Sequence, residues 1–297
     1  LVMSAGSFIS VPVIWAAWFL RVPVLIHQQD IEPGLANKLM APLARVVTVT
    51  FEKSLADYGK KAVWIGNPVR RSLEILSSKS QISDFNKNLP VVLIVGGGTG
   101  SSAINEIVGK SLNELTKFCQ VIHVTGKNKN SSVILEPKAI ESRGLSMKRQ
   151  DPIGPPGQKP GAKGASSRMT NYNAYEFLDA EKMAEALKSA DLAVTRAGLG
   201  VLSELSYLGK PSIIIPMPAS HQAANAEFFR NRKAAIVIAQ KDLTVENFIH
   251  LIKDLLAYKK TRDRLALTMK NAMKGGANRD VVLTSELVTA VGQVFLS

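Results

Sequence analysis

The segment PVVLIVGGGTGSSAINEIVGKSL, residues 90–112, joins a wholly apolar, β-branched run to a glycine-rich turn and then to a stretch with helical amphipathic spacing. A strand that is apolar at every position is buried on both faces, and a helix starting just beyond it covers one of them. The same grammar returns in ADLAVTRAGLGVLSELSYLGKPSIIIPMP, residues 190–218, which reads as strand, turn, helix, turn and strand, with Gly209 stopping the helix and Pro211 just beyond. AAIVIA follows as a strand and LTVENFIHLIKDLLAY as a helix, its start marked by Thr244 with Glu246 behind it. In the first block, strands are predicted near Val22–His27, Val46–Thr50 and Ala62–Ile65. Asn67 and Pro68 there take N-cap and first-turn places of a helix running to Leu76. The pattern specifies an α/β chain with parallel sheets.

Two stretches break it. Ser77–Asn88 is polar and aperiodic, as a linker between domains is, and the region from Ser142 to Asn173, containing DPIGPPGQKPGAKGASSR, is rich in Pro, Gly and basic residues. The second is expected to be a flexible insertion, either a solvated loop or a contact for lipid or a partner. The tail from Asn278 onward is helical in period. The most apolar region, Phe8–Ile26, is interrupted by Pro12, Arg21 and Pro23 before a membrane span accumulates, and it reads as a buried helix followed by a strand. No basic segment precedes it, as one would in a signal peptide.

With 297 residues, 46% of them hydrophobic, the chain has material for two buried cores. Its one cysteine, Cys119, cannot form a disulfide within the chain, which suits a reducing, cytoplasmic setting. His27, His123, His221 and His250 stand far apart with no ligand-spaced partner, so no metal site is expected. A formal net charge of +13 draws polyanions, but no base-reading motif or aromatic-basic platform is present. Nucleic acid is therefore disfavoured, and an anionic membrane surface or a phosphorylated substrate suits the field.

Three strand-to-helix turns are candidate anion sites. In Gly96, Gly97, Gly98, Thr99 and Gly100 the backbone amides can approach a phosphate closely, although a tight turn needing positive φ explains the glycines equally well. The run lacks both the P-loop lysine and the spacing of the dinucleotide fingerprint, which disfavours a dehydrogenase. The turn Arg196–Gly200 leads into a helix carrying Ser203 and Glu204. A diphosphate there would meet free amides while Glu204 accepts ribose hydroxyls, yet a carboxylate early in a helix is favourable without any ligand. His221, Gln222 and Asn225 converge beyond the strand IIIPMP, where ligands of open parallel sheets collect, though a lone histidine there is an ordinary capping residue. Arg70 can reach a phosphate or simply pair with Glu74.

Taken in order, GSFISVPVIWAAW, VPVLIHQQDIEPGLANKLMA, GNPVRR, VGGGTGSSAIN, TRAGLGVLSELSYLGKP and HQAANA resemble the MurG family of peptidoglycan glycosyltransferases. The resemblance covers nearly the whole chain outside the insertion. It implies a GT-B fold of two Rossmann-like domains, with residues 1–76 the C-terminal part of an acceptor-binding domain and 77–89 a linker. Residues 90–275, with the 142–173 insertion, would form the donor-binding domain, and 276–297 a C-terminal helix packing back on the first. It implies inverting, metal-independent and cofactor-free transfer of N-acetylglucosamine from UDP-N-acetylglucosamine to an undecaprenyl-linked N-acetylmuramoyl-pentapeptide, at the inner face of the cell membrane. By the same resemblance Leu199, Gly200, Val201, Leu202, Ser203 and Glu204 wrap the diphosphate and ribose, with Glu204 on the ribose. His221 and Gln222 face the sugar, Arg70 and the turn at Gly97, Gly98 and Thr99 lie near the phosphates, and Leu178 lies beside the uracil ring. The general base is open: His27 is the one local candidate, and the family's front loop, which this sequence does not contain, is the stronger expectation.

The chain also departs from this family. His27, Gln28, Gln29 and Asp30 stand where the family commonly reads His-Glu-Gln-Asn, and Gly98 and Thr99 where it commonly has Ser and Gln. An acid at Asp30 repels a diphosphate unless a cation or protonation compensates. The glycine-rich histidine loop that opens the family is absent and the chain starts at Leu1, so the expectation is a first domain incomplete at its N-terminus. The alternatives are a UDP-sugar-binding subunit that needs a partner chain for chemistry, or a glycosyltransferase for another lipid acceptor.

Overall fold

Strand β1 (Val2–Ser4) leads through a loop to helix α1 (Ser10–Phe19), followed by β2 (Val24–Gln28), α2 (Leu35–Met40), β3 (Val46–Val49), α3 (Leu55–Tyr58), β4 (Ala62–Trp64) and α4 (Ser72–Ile75). Next come β5 (Val91–Val95), α5 (Ser102–Leu115), β6 (Gln120–Val124), β7 (Tyr172–Tyr175), α6 (Ala180–Ser189) and β8 (Leu192–Thr195). The chain continues through α7 (Leu199–Leu208), β9 (Ser212–Ile214), α8 (Gln222–Asn231), β10 (Ile236–Val237), α9 (Val245–Ala257) and α10 (Lys259–Lys270). The computed structural model describes residues 1–70, 72–75, 88–98, 100–127, 171–273 and 292. Thr99, nearly all of the expected linker, residues 142–170 of the expected insertion and nearly all of the helical tail lie outside the described residues.

The strands form a sheet in the order β1-β2-β3-β4 and a six-stranded sheet in the order β10-β9-β8-β5-β6-β7, with parallel pairing in each. This is the α/β, two-parallel-sheet architecture read from the sequence. Internal contacts divide the chain into two units, each described by itself. The first takes the described residues of Leu1–Arg70, Ala197–Ile238 and Asp263–Ser297, and the second those of Arg71–Arg196 and Ala239–Arg262.

In the second unit every side chain of β5 is buried, as its unbroken Val, Leu and Ile run requires. Helix α5 turns Ile104, Val108, Leu112 and Leu115 inward at helical spacing, and Ser101 caps it by accepting the Ile104 amide at 3.3 Å. Helix α9 starts at Thr244, whose hydroxyl accepts the Asn247 amide at 3.1 Å, as its sequence indicated. Strand β7 begins inside the region read as insertion. Its sequence YNAY lacks an apolar run, and it is held by position at the sheet edge and by buried polar pairs. In those pairs the His123 Nδ1 lies 3.1 Å from the Tyr172 hydroxyl, and its Nε2 3.1 Å from Asn105 Oδ1. The Asn105 amide is oriented by donating to the Thr125 carbonyl at 3.0 Å, so His123 donates from Nε2 and accepts at Nδ1 as a neutral ring.

In the first unit one strand carries no sequence signal and two expectations are corrected. Strand β1, in a stretch too short and mixed to signal itself, pairs parallel with β2 from Val2 opposite Val24 to Ser4 opposite Ile26. Helix α1 is not buried: only Ile14 and Ala17 are, while Phe8, Ile9, Val13, Trp15, Trp18, Phe19 and Leu20 are exposed. A helix apolar on all sides can bury just the stripe that meets the sheet, and nothing described covers the rest. Asn67 caps no helix: the chain is non-helical through Arg70, the described helix beginning at Ser72, because the Asn67 side chain is engaged elsewhere. The Gly209 stop of α7 is as read, with φ +63°.

The turn after β5 shows which glycines the backbone demands. A Cβ on Gly100, at φ +72°, would lie 2.1 Å from the Thr125 carbonyl oxygen. Gly100→Ala is expected to cost at least about 2 kcal/mol, read as a lower urea midpoint. A second expected outcome concerns pH. Burial lowers the His123 pKa from 6.5 to about 3, so between those values the unfolded chain binds a proton that the folded chain refuses. The stability this group supports is complete above pH 6.5 and is lost as pH falls toward 3, and His27, also lowered by burial, adds in the same direction. The free energy of unfolding should drop by roughly 2 kcal/mol from this group between pH 7 and 5, with a shallower slope in His123→Leu.

Candidate functional site

The first unit gathers most of the residues singled out from the sequence around the first turns of α7 and α8. Helix α7 opens at Gly198 with no side-chain cap, and the amides of Leu199, Gly200 and Val201 have no partner among the described residues. Unused amides at a helix start concentrate positive potential. Glycine at the cap keeps them uncrowded.

One turn further on, Glu204 carries a side chain only 6% exposed. Its Oε1 accepts a hydrogen bond from Arg70 Nε in a short ion pair, while its Oε2 is buried with no partner. Burial pushes the Glu204 carboxyl above the usual range, and the Arg70 charge and hydrogen bond pull it back down. Arg70 thus pairs with Glu204 across 134 residues of sequence. The expectation that it sits one turn into a helix is corrected for the same reason as Asn67.

Asn67 is a residue whose role the sequence hid. Its Nδ2 donates to Ser203 Oγ at 2.7 Å and to the Leu199 carbonyl at 3.3 Å, tying the first turn of α7 in place. Its Oδ1 lies 3.2 Å from His27 Nε2, while His27 Nδ1 lies 3.0 Å from the Thr48 hydroxyl. Because the amide nitrogen faces a carbonyl, Oδ1 must accept, and His27 donates from Nε2. Both ring nitrogens of His27 thus lie within hydrogen-bond distance of protein groups. Its pKa lies below the ordinary histidine value because burial outweighs these bonds.

The HQQD segment is organised by Gln28, which is buried. Its Nε2 donates to the carbonyls of Asp30 at 2.7 Å and Glu32 at 3.0 Å, and its Oε1 accepts from Asn37 at 2.5 Å and Tyr58 at 2.9 Å. A carboxylate has no donors for those two carbonyls, so the amide suits this loop. Asp30 Oδ1 accepts from Asn225 Nδ2 at 2.8 Å, and its Oδ2 stands 3.8 Å from His221 Nε2. The acid that departs from the family thus meets an amide donor and stands near an imidazole. Asn225, fully buried, also donates to the Ala197 carbonyl at 3.1 Å and accepts the Ile31 amide at 3.2 Å.

Helix α8 is anchored by aromatic packing of Phe51 on Phe228, ring centroids 4.5 Å apart, with the Arg232 guanidinium 3.7 Å from the Phe228 ring. Gln222 at its start uses Oε1 to accept the amides of Ala197 at 3.2 Å and Met217 at 3.1 Å, which leaves its Nε2 to donate. Val201 is partly exposed and Leu202 fully buried, so Leu202 can meet a ligand only through its backbone.

In the second unit, Gly97 takes φ +91° and Gly98 is exposed, with no atom within 4 Å of a Cβ built on either. Leu178 is buried, and its neighbour Phe177 is exposed with the Lys127 ammonium 6.0 Å from its ring. Arg196 was not singled out for a role of its own, yet it is buried and donates to Ser101 Oγ at 2.6 Å and Gln240 Oε1 at 2.7 Å. A basic residue closing an apolar strand is the signal that marks it. Among the described residues no group of three or more metal-binding side chains occurs.

Comparison with known proteins agrees with this architecture. Residues 91–281 match the glycosyltransferase family 28 C-terminal domain and residues 1–49 the family 28 N-terminal domain. The chain is 32% identical, over 98% of its length, to a UDP-N-acetylglucosamine--N-acetylmuramyl-(pentapeptide) pyrophosphoryl-undecaprenol N-acetylglucosamine transferase of Clostridium kluyveri, of which it spans 72%. It is also 32% identical to the protein of the same description from Shouchella clausii, over 86% of this chain and 64% of that protein. Among solved structures it is similar to MurG of Acinetobacter baumannii, with a TM-score of 0.65 and 22% identity over 98% of this chain and 72% of that one. The chain belongs to glycosyltransferase family 28, with MurG-type N-acetylglucosamine transferases among its relatives.

Proposed function

We propose that this chain is an inverting glycosyltransferase that moves N-acetylglucosamine from UDP-N-acetylglucosamine to an undecaprenyl-linked N-acetylmuramoyl-pentapeptide, the reaction for which its relatives are named. The observation that carries the reading is the buried Glu204 carboxylate, one turn inside a helix, whose Oε2 and whose helix's first amides have no partner among the described residues. Vicinal ribose hydroxyls donate, a diphosphate accepts, and this pairing of a carboxylate with bare amides meets both needs. Leu199, Gly200 and Val201 supply the amides, Asn67 holds that turn rigid through Ser203, and the Gln222 Nε2 group remains to donate to a sugar hydroxyl.

In an inverting displacement the acceptor hydroxyl attacks the anomeric carbon, UDP leaves with the electron pair of the broken bond, and the hydroxyl proton passes to a general base. Charge grows on the diphosphate as the bond breaks, so fixed amide dipoles and the Arg70 guanidinium stabilise the transition state more than the ground state. Asp30, held by Asn225 and beside His221, is a further polar group for the sugar. Gly97, Gly98 and Leu178 are retained as donor contacts on the strength of the sequence resemblance. The same reading assigns residues 1–76 to acceptor recognition and 90–275 to donor recognition.

The acceptor is lipid-linked, and we place the reaction at an anionic membrane surface. No helix among the described residues is long and apolar enough to cross a bilayer, but α1 and its flanks expose Phe8, Ile9, Trp15, Trp18, Phe19 and Leu20, followed by Arg21. Aromatic and aliphatic side chains on a strongly basic chain suit docking to an interface.

Glu204→Ala should abolish measurable UDP-N-acetylglucosamine binding by calorimetry, a loss of about a hundredfold or more for a ligand whose two hydroxyls lose a charged acceptor. Transferase turnover should fall with it. Unchanged donor affinity in that variant removes the ribose assignment.

A further inference from the structure

Arg70 and Glu204 form an ion pair whose two ends differ sharply in burial. The Glu204 side chain is 6% exposed and the Arg70 side chain 32%, and Arg70 lies outside regular structure, after Asn67 and Pro68 and before α4. Nε of the guanidinium is engaged by Glu204 Oε1, and among the described side chains Arg70 has no other partner. Glu204 therefore has one oxygen covered by a cation and the other, Oε2, buried and unsatisfied. Two adjacent hydroxyls of a ribose are met best when each faces its own carboxylate oxygen, and in this state one of the two is covered by the guanidinium.

We propose that Arg70 is a specificity-determining residue that blocks Glu204 in the empty site and yields it only to a ligand carrying a diphosphate. This rests on the donor reading given above. A neutral nucleoside that displaces the guanidinium leaves a buried carboxylate without its cation and offers nothing to the arginine in return. A nucleoside diphosphate brings an anion that suits the planar fork of the guanidinium, so Arg70 exchanges one charged partner for another while the ribose hydroxyls take over Glu204. The apparent affinity of any ligand is reduced by the fraction of sites in the competent state, and here only the diphosphate repays that reduction. Arg70 on this account adds to phosphate binding and subtracts from nucleoside binding.

The two signs make the test. Uridine and UDP are titrated into the full chain and into Arg70→Gln by calorimetry at pH 8, with saturation-transfer NMR for weak uridine binding. Arg70→Gln is expected to bind UDP at least about tenfold more weakly and uridine at least about threefold more tightly than the unaltered chain. Loss of affinity for both ligands, or unchanged uridine affinity in a variant with native circular dichroism, overturns the proposal. If Arg70→Gln does not fold, Arg70→Lys decides: it keeps a cation but lacks the fork, and smaller shifts of the same opposite signs are required. An unaltered chain that binds UDP, with no uridine gain in the folded variant, sinks this inference alone. An unaltered chain that binds neither UDP nor UDP-N-acetylglucosamine sinks the donor reading and this inference together.

Discussion

A carboxylate drawn almost wholly out of water persists only if a cation or a set of donors reaches it, and in this chain Arg70 reaches Glu204. Removing one partner of such a pair leaves an uncompensated charge, an effect of about 3–5 kcal/mol in comparable cases. The rest of the first unit is arranged to keep these two groups in register. Asn67 pins the first turn of α7 through Ser203 and Leu199, His27 orients Asn67, and Asn225 links α8 to Asp30 and Ile31. The bonds of Asn67 to α7 and of Asn225 to Asp30 and Ile31 join the 27–70 segment to the 197–225 segment. The polar groups best suited to a ligand are therefore also those that hold distant parts of the chain together.

That double use explains the departures from the family pattern in the HQQD segment. Gln28 makes four hydrogen bonds that need both its donors and its acceptor, so its amide is fully consistent with a well-formed loop. Asp30 brings a negative charge, but it arrives with Asn225 donating to one oxygen and His221 standing near the other. Both of these neighbours lie about 190 to 195 residues later in the chain. The same geometry ties His27 to Thr48 and to Asn67 through its two ring nitrogens.

Much of this was legible beforehand wherever the signal was local. The unbroken apolar run Val91–Val95, the Gly209 stop and the Thr244 cap each act within a few residues, and each stands where its chemistry placed it. Misreadings arose where a local rule met a distant competitor. Asn67 before Pro68 looks like a helix start, but its amide finds better partners on α7. The Phe8–Phe19 stretch looks like core, yet a helix can bury only the side that meets its sheet. Strand β7 has no apolar signature because its order comes from an edge position and from the His123 pair.

The amino-acid sequence by itself determined the class of fold, the positions of the strand-to-helix turns, the family and the residues to inspect, because periodicity, glycine placement and capping are short-range effects written along the chain. Only the tertiary structure decided that Arg70 belongs to Glu204, that Asn67 and not the backbone alone secures the α7 turn, and that Asp30 has a histidine beside it. Those pairings depend on which side chains the folded backbone brings within about 3–4 Å. Hydrogen bonds and ion pairs between residues more than a hundred positions apart leave no trace in local spacing.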